Sequence, residues 1–301
     1  MVQAASALAT RTAPRRTTAP QVWPFTLANY YKTSLEVGAR SLLGPYPREA
    51  LARLINPLSY PRFMEFDLAL RPLAPFDGCT VLDLGSPKLP VLLVARHTDC
   101  EVYATDIRDY FVEPTAHFLE RMGMGERVGR DIRLEVQDGR GLSYADETFD
   151  RIFSISVVEH IPDDGDSQTM REIGRVLKPG GRVTLTVPFC AEHYWEEFLN
   201  GAVFERAASD RPTFYQRHYD QRALTKRLVE PSGLRLVRTE LFGEPGVRFE
   251  PWWNRIPMRW KAPLLWAQPF VAAALLRKLD AERAERACGA ALTLEKIQLR
   301  V

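Results

Sequence analysis

The chain has 301 residues, enough to bury a substantial core in one decorated α/β domain or in two small ones. Its 40 lysines and arginines nearly balance its 38 aspartates and glutamates, for a net charge of +2, so the overall charge does not call for a nucleic-acid partner. The four cysteines (Cys79, Cys100, Cys190, Cys288) form no CxxC pair, which argues against a zinc knuckle or a disulfide framework and suits a reducing, cytoplasmic setting.

Residues 1–24 read as a flexible tail. They are rich in Ala, Thr, Arg and Pro, and no acid occurs before Glu36, a composition that an organelle transit peptide shares over residues 1–20. Residues 25–74 form a helical preface punctuated by Pro45, Pro47, Pro57 and Pro61. A regular alternation then begins and defines a domain over 75–301. A strand is expected over 79–85 (CTVLDLG), a helix over 89–96, a strand over 101–107, and a helix over 114–122 that opens on Pro114, where a first-turn proline is tolerated. Strands over 132–138 and 149–156 follow. A helix over 167–177 is stopped by Lys178-Pro179-Gly180-Gly181 and leads into a strand over 182–188.

Two insertions, at about 190–219 and 244–288, then break the rhythm as helical caps. Between them Asp220 is placed to N-cap a helix over 221–229, and 233–242 reads as a sixth strand. A seventh strand, 290–299, closes the chain. No stretch approaches the ~18 apolar residues of a membrane span. The nearest, 262–276, is interrupted by Gln268-Pro269; its short, broken run reads as filling for the cap's own core rather than as a peripheral membrane contact ending at Arg277-Lys278.

Strands alternating with helices of this length make βαβ units, hence a parallel sheet with helices on both faces and ligand sites at the carboxyl ends of its strands. Acids stand at three such ends. Asp83 ends the first strand, Asp106 the second, 23 positions later, and Asp138 the third. A carboxylate suits a ribose diol because it accepts both hydroxyl hydrogens. An acid near the first turn suits a cationic ligand end. A dinucleotide site would instead want G-x-G-x-x-G and a helix N-terminus for the pyrophosphate, which this chain lacks, so an NAD(P)-dependent oxidoreductase is the weaker alternative.

The linked stretches VLDLGS, ATDI, QDGRGLSYADETFDRIFSISVVEHIPD and REIGRVLKPGGRVTLTVP, over roughly 80–188, resemble class I SAM-dependent methyltransferases of the methyltransferase-11 type. RHYDQRALTKRLVEPSGLRLV extends the likeness to the sixth strand. The resemblance implies a Rossmann-like sheet of seven strands, mostly parallel with the last antiparallel, and S-adenosyl-L-methionine (SAM) as cofactor. It assigns Asp83 and Gly85 to the methionine end of SAM and Asp106 to the ribose. It packs Ile107 on the adenine, gives the adenine edge to Asp138 and Gly139, and sets Ser156 beside the sulfonium.

The glycine loop departs from the family pattern, because Pro87 removes a backbone donor and Leu89 adds a side chain where close approach is usual. Lys88 is expected at an exposed helix start, with the SAM carboxylate as its alternative partner. This departure motivates a second reading, a methyltransferase-like binding or scaffold protein without turnover. His160 lies past the fourth strand as a candidate catalytic base, and His193 is a second candidate in the first insertion, where His218 also lies. A Glu-His pair like Glu159-His160 helps bind a divalent ion in ubiquinone-type O-methyltransferases, but their further glutamate falls at Ser156 here, so no metal is expected. The acceptor is expected to be a small, largely apolar molecule enclosed by aromatics of the insertions: Tyr194, Trp195, Phe198, Phe204, Phe214, Tyr215 and Tyr219 in the first, and Trp252, Trp253, Trp260, Trp266 and Phe270 in the second. Its acceptor atom, O, N or C, is left open.

Overall fold

A computed structural model describes residues 23–201 and 212–298. The proposed transit segment and Phe204 lie outside them.

Three helices come first: α1 (Leu27–Ser41), α2 (Pro47–Ile55) and α3 (Arg62–Leu70). Thr26 caps α1 by accepting the Asn29 N–H at 3.3 Å. Pro47 opens α2 at a position whose N–H no helix needs. The buried faces of α1 and α3, with Tyr30, Val37, Phe66, Ala69 and Leu70, belong to the same apolar core as the first strands of the sheet. The preface is therefore packed into the domain and is not a separate unit.

The alternation follows the sequence closely. β1 (Thr80–Leu84), α4 (Leu89–His97), β2 (Glu101–Asp106), α5 (Val112–Arg121), β3 (Ile132–Val136), β4 (Phe149–Ile155), α6 (Gly165–Val176) and β5 (Leu177–Pro188) build the parallel half. Val81, Leu82 and Leu84 are all buried, the mark of a strand covered on both faces. The run after α6 is not a free turn as expected. It lies within β5, where pairing jumps from Phe149↔Leu177 to Arg151↔Arg182 and Gly180 takes φ +76°. The four skipped residues bulge out of the ladder.

Beyond β5 come the hairpin β6 (Trp195–Leu199) and β7 (Thr213–His218), then a helical stretch: α7 (Gln221–Ala223), a π-turn (Leu224–Val229) and α8 (Glu230–Ser232). Asp220 caps it, accepting the Ala223 N–H. β8 (Arg235–Gly243), α9 (Phe249–Arg255), α10 (Met258–Lys261), a 3-10 turn (Ala262–Ala267), α11 (Gln268–Leu275), β9 (Arg277–Leu279) and β10 (Ala287–Glu295) complete the described chain. The sheet order is β3-β2-β1-β4-β5-β10-β8-β9, with β10 antiparallel to both β5 and β8. It holds one strand more than expected: β9 pairs antiparallel with β8 at the edge, through Leu241↔Leu279. Among the described residues no helix is long and apolar enough to cross a membrane.

The hairpin is fastened to the sheet by a buried cation. Arg217 is fully enclosed, lies over the Phe214 ring, and donates to the carbonyls of Ile161 and Asp163. Asp166, also enclosed, accepts from Tyr219 Oη at 2.9 Å and from Arg227 Nη2 at 2.7 Å.

Candidate active site

Two cavities adjoin at the carboxyl ends of β1, β2 and β4. The first, about 470 Å³, is lined by Asp106, Ile107, Asp138, Gly139, Ser156 and His160, among others. The second, about 660 Å³, lies under the preface, where Arg53, Leu58, Arg62 and Phe66 face Leu89, Phe111 and Phe118. Gly85, Asp106, Tyr110 and Ser156 line both. The volumes suit a nucleoside-sized ligand beside a second small molecule.

The first cavity gathers seven of the residues picked from sequence, but not all in the expected state. Asp106 leaves β2 half-buried, and its Oδ2 takes a 3.3 Å bond from the Tyr110 hydroxyl, leaving acceptor capacity free. Ile107 exposes 57 % of its surface, which leaves an apolar face open to a flat ring. Asp138 is gripped by Arg140, whose Nη2 lies 2.7 Å from Oδ2, and that guanidinium holds its carboxyl below the usual range. Gly85 has φ +71°, and a Cβ there would stand 2.7 Å from Val157 Cγ1, so both backbone and space require glycine. Ser156 also has positive φ, 54°. Such a conformation in a non-glycine residue is strained and persists only where neighbours hold it. Here the Ser156 N–H donates to Thr186 O at 3.0 Å, and its Oγ donates to Glu159 Oε1 at 2.6 Å.

Asp83 differs. It is fully buried and lines neither cavity. Its Oδ1 accepts the Ser86 N–H at 3.1 Å, and its Oδ2 accepts Lys88 Nζ at 2.8 Å. Lys88 is not the exposed lysine expected. It is nearly enclosed, and its other two bonds go to Ser86 O (2.7 Å) and Thr105 O (2.8 Å). Three donors meet three acceptors, so this ammonium staples the altered loop to β2 and has no donor left for a ligand carboxylate. Burial pushes the Asp83 carboxyl up, against the pull of the Lys88 ammonium.

His160 faces the first cavity. Its Nδ1 lies 2.8 Å from the Tyr215 carbonyl, which can only accept, so Nδ1 carries a hydrogen, and its Nε2 stands 3.7 Å from Glu159 Oε1. His193 is exposed and lines neither cavity. Among the described residues, no aromatic side chain of either insertion lines these two cavities, so the expected aromatic enclosure is not found there. Trp195 instead stacks on His218, centroids 3.9 Å apart and planes 4° from parallel, and Tyr219 is buried.

Sequence reasoning missed Arg62 and Arg53, and it named Glu159 only as half of a metal-binding pair. Glu159 is fully buried with Oε2 unpartnered, and burial pushes its carboxyl up to about 7. Arg62 is bound to Glu65 at 2.6 Å. Arg53 stands over the Phe118 ring at 4.9 Å in the second cavity, which Glu49 also lines, and burial pulls its guanidinium down to about 10. It remains a cation at neutral pH. Among the described residues, no three His, Cys, Asp or Glu are grouped to hold a metal ion.

Residues 82–185 match the family described as "Methyltransferase domain", a span that contains every strand end of this site. This region is a class I SAM-dependent methyltransferase domain. Among curated proteins the domain is similar to the methyltransferase GfsG of Streptomyces halstedii, 36 % identical over 109 residues, which are 36 % of this chain and 37 % of that protein. It is also similar to a sterol 24-C-methyltransferase of Eremothecium gossypii, 31 % identical over 121 residues, 40 % of this chain and 31 % of the relative. The matches thus span about a third of each relative's length. Among solved structures the fold is shared with the [4+2]-cyclase SpnF at TM-score 0.52 and 21 % identity, covering 80 % of this chain and 84 % of that one.

The residues fit the cofactor that the domain implies over its nucleoside part, where an open carboxylate (Asp106) stands next to an exposed apolar face (Ile107). At the methionine end the fit differs from the family pattern, since Asp83 is closed off by Lys88.

Proposed function

We propose that this chain transfers the methyl group of SAM to a small, largely apolar acceptor seated in the cavity beneath α2. The observation that carries the reading is the junction of the two cavities at Gly85, Asp106, Tyr110 and Ser156, one nucleoside-sized and bordered by Asp106, Ile107, Asp138 and Gly139, the other walled by Leu58, Phe66, Leu89, Phe111 and Phe118 with Arg53 among them. The names of the relatives, one of them a sterol methyltransferase, support an acceptor of this kind.

When bound, SAM supplies a methyl group already activated by its sulfonium, so the protein's work is positioning and exclusion of water. In this reading Asp106 accepts the ribose hydroxyls, Ile107 packs on the adenine, and Gly139 with the Arg140-fixed Asp138 meets its edge. Gly85 and Ser156 border the sulfonium. Asp83 acts at one remove, holding Lys88 and through it the loop. Arg53 supplies the cation for a carboxylate at the methionine end. His160 Nε2 takes a proton if the acceptor arrives protonated.

The stapled loop favours one other reading, binding without methyl turnover, and the cyclase with this fold shows that the architecture is not tied to a single reaction name. Titration calorimetry with SAM and with NAD, followed by transfer of labelled methyl into a lipid-soluble cell extract, separates the cases. SAM binding with a labelled product supports the proposal. SAM binding with no product moves the second reading to first place, and no SAM binding in a folded chain rejects both uses of the nucleoside cavity.

A further inference from the structure

Between Pro251 and Lys278 the chain holds five basic residues (Arg255, Arg259, Lys261, Arg277, Lys278), no acid, and four of the six tryptophans. The expectation that these aromatics fill the cap's own core holds only for Trp253, which is buried. Trp252, Met258, Trp260, Leu264, Trp266 and Phe270 each expose more than half of their surface (58, 61, 66, 52, 51 and 51 %). They sit on α9, α10, the 3-10 turn and α11, short pieces broken by Pro257, Pro263 and Pro269. The apolar surface continues onto α2, which packs on the 3-10 turn and exposes Leu51 and Ile55.

Large exposed apolar groups mark an interaction surface. What covers this one follows from its charge. Glu250 and Glu49 stand at the borders of this face and Lys278 is paired with Glu240, but Arg255, Arg259 and Lys261 lie among the tryptophans. A second copy would bring that basic stretch against itself, whereas an anionic lipid surface offers phosphates to these three side chains and an interfacial layer in which tryptophan is favoured. We propose that this face docks on an anionic bilayer surface.

The face also borders the second cavity. Tyr31 Oη donates to Trp266 O at 3.3 Å, and the Tyr31 and Phe270 rings lie 5.2 Å apart. Gln268 accepts the Tyr60 N–H at 3.2 Å and donates to Asn56 Oδ1 at 3.3 Å. Asn56, Pro57, Leu58 and Ser59 line that cavity. A docked molecule therefore holds the cavity rim beside lipid, the phase in which a largely apolar acceptor concentrates. The docking stands independently of methyl transfer, and only the delivery of the acceptor rests on it.

The test is co-sedimentation of the full chain with vesicles of phosphatidylcholine alone or mixed with phosphatidylglycerol, with tryptophan emission and its quenching by brominated lipid read in parallel. The expected result is binding to the mixed vesicles, weakened by salt, with blue-shifted and quenched emission. Arg255→Gln/Arg259→Gln/Lys261→Gln should weaken it by about a hundredfold, the effect of three basic side chains at such a surface. Trp260→Ser/Trp266→Ser should reduce binding to both vesicle types. Arg255, Arg259, Trp260 and Trp266 are exposed and Lys261 is half-buried over the Trp253 ring at 5.9 Å, so melting temperature should stay close to, and SAM affinity should match, the wild type. Absence of binding to mixed vesicles overturns the proposal, as does binding that the tryptophan variant retains unchanged. Concentration-dependent self-association that the tryptophan variant abolishes, without vesicle binding, overturns it in favour of a second copy. Vesicle binding by a chain that does not bind SAM supports the docking while removing the methyltransferase reading.

Discussion

Replacing Lys88 with methionine keeps the length of the side chain and removes its charge. In the native protein Nζ is shared among Asp83 Oδ2, Ser86 O and Thr105 O at 2.7–2.8 Å, and the carboxylate it neutralises is wholly withdrawn from water. Lys88→Met therefore strands a buried carboxylate and two carbonyls. Breaking a buried pair from one side costs about 3–5 kcal/mol, far above the value of an exposed pair. For a chain of this size that is a fall in melting temperature of about 5–8 °C. The stranded Asp83 relieves part of the cost by taking up a proton, a step that burial already favours, so the deficit should narrow as the pH is lowered. The double variant Asp83→Asn/Lys88→Met holds no buried charge and should recover at least half of the loss. Urea denaturation with an unchanged m value is the assay. A loss below about 1 kcal/mol, or a double variant no more stable than the single one, refutes the staple.

Asp106→Ala should weaken SAM binding by about 1.5–3 kcal/mol in calorimetry while the melting temperature holds, since a half-buried acid at a strand end supports little of the core. Unchanged affinity removes the ribose assignment. Arg53→Gln should weaken SAM, or an acceptor bearing a carboxylate, by about tenfold or more, with stability close to the wild type because a half-buried side chain loses its contact with the Phe118 ring and, among the described residues, no ion pair; a clear loss of stability contradicts its reading as a ligand cation. Glu250 is held up to about 7 by burial and by Glu244 beside it, against 4.5 unperturbed. The folded state then binds the proton more tightly than the unfolded state, so stability falls as the pH rises from about 4.5 to 7. Glu250→Gln should flatten that fall by about 1–3 kcal/mol in melts at pH 5 and pH 8, and parallel curves for the two proteins refute it.

The parallel half of the sheet was legible because each strand is a short apolar run ending in an acid or a small polar residue, and that pattern is local in sequence. Asp106, Ile107, Gly139 and Ser156 could be found on the same basis. The β6–β7 hairpin was not, because Trp195–Leu199 and Thr213–His218 are half-exposed strands without strict alternation or a short turn between them. Arg53 was invisible for a different reason. Helical periodicity shows that α2 has an apolar face, but not that the helix roofs a cavity 30 residues further along the chain. Lys88 was misplaced because an internal cation is specified by Asp83 and by two backbone carbonyls, and no pattern of side chains records a carbonyl. The exposed tryptophans of the second insertion misled in turn, since composition alone does not distinguish a core from a face turned outward.

The anchoring of Arg217 makes the two walls of the site unequal. The wall that carries His160, Ile161 and Pro162 is bolted to the hairpin by that guanidinium, by the Tyr215 carbonyl and by the Asp166 cluster behind them. The opposite wall, α2, is tied far more lightly: by Tyr46 Oη to Glu113 at 2.7 Å on the exterior, by Ser34 Oγ to the Arg53 carbonyl at 3.4 Å, and by Gln268 to Asn56 at 3.3 Å. The first of these bonds lies at the surface and the other two are part-buried and long, so each costs less to open than the bonds of an enclosed guanidinium. Of the two walls, only the first is held by an enclosed guanidinium, while α2 is held chiefly by packing on α1, where Ala50 is buried. The same helix flanks the tryptophan face, so whatever that face rests on lies beside the rim of the second cavity.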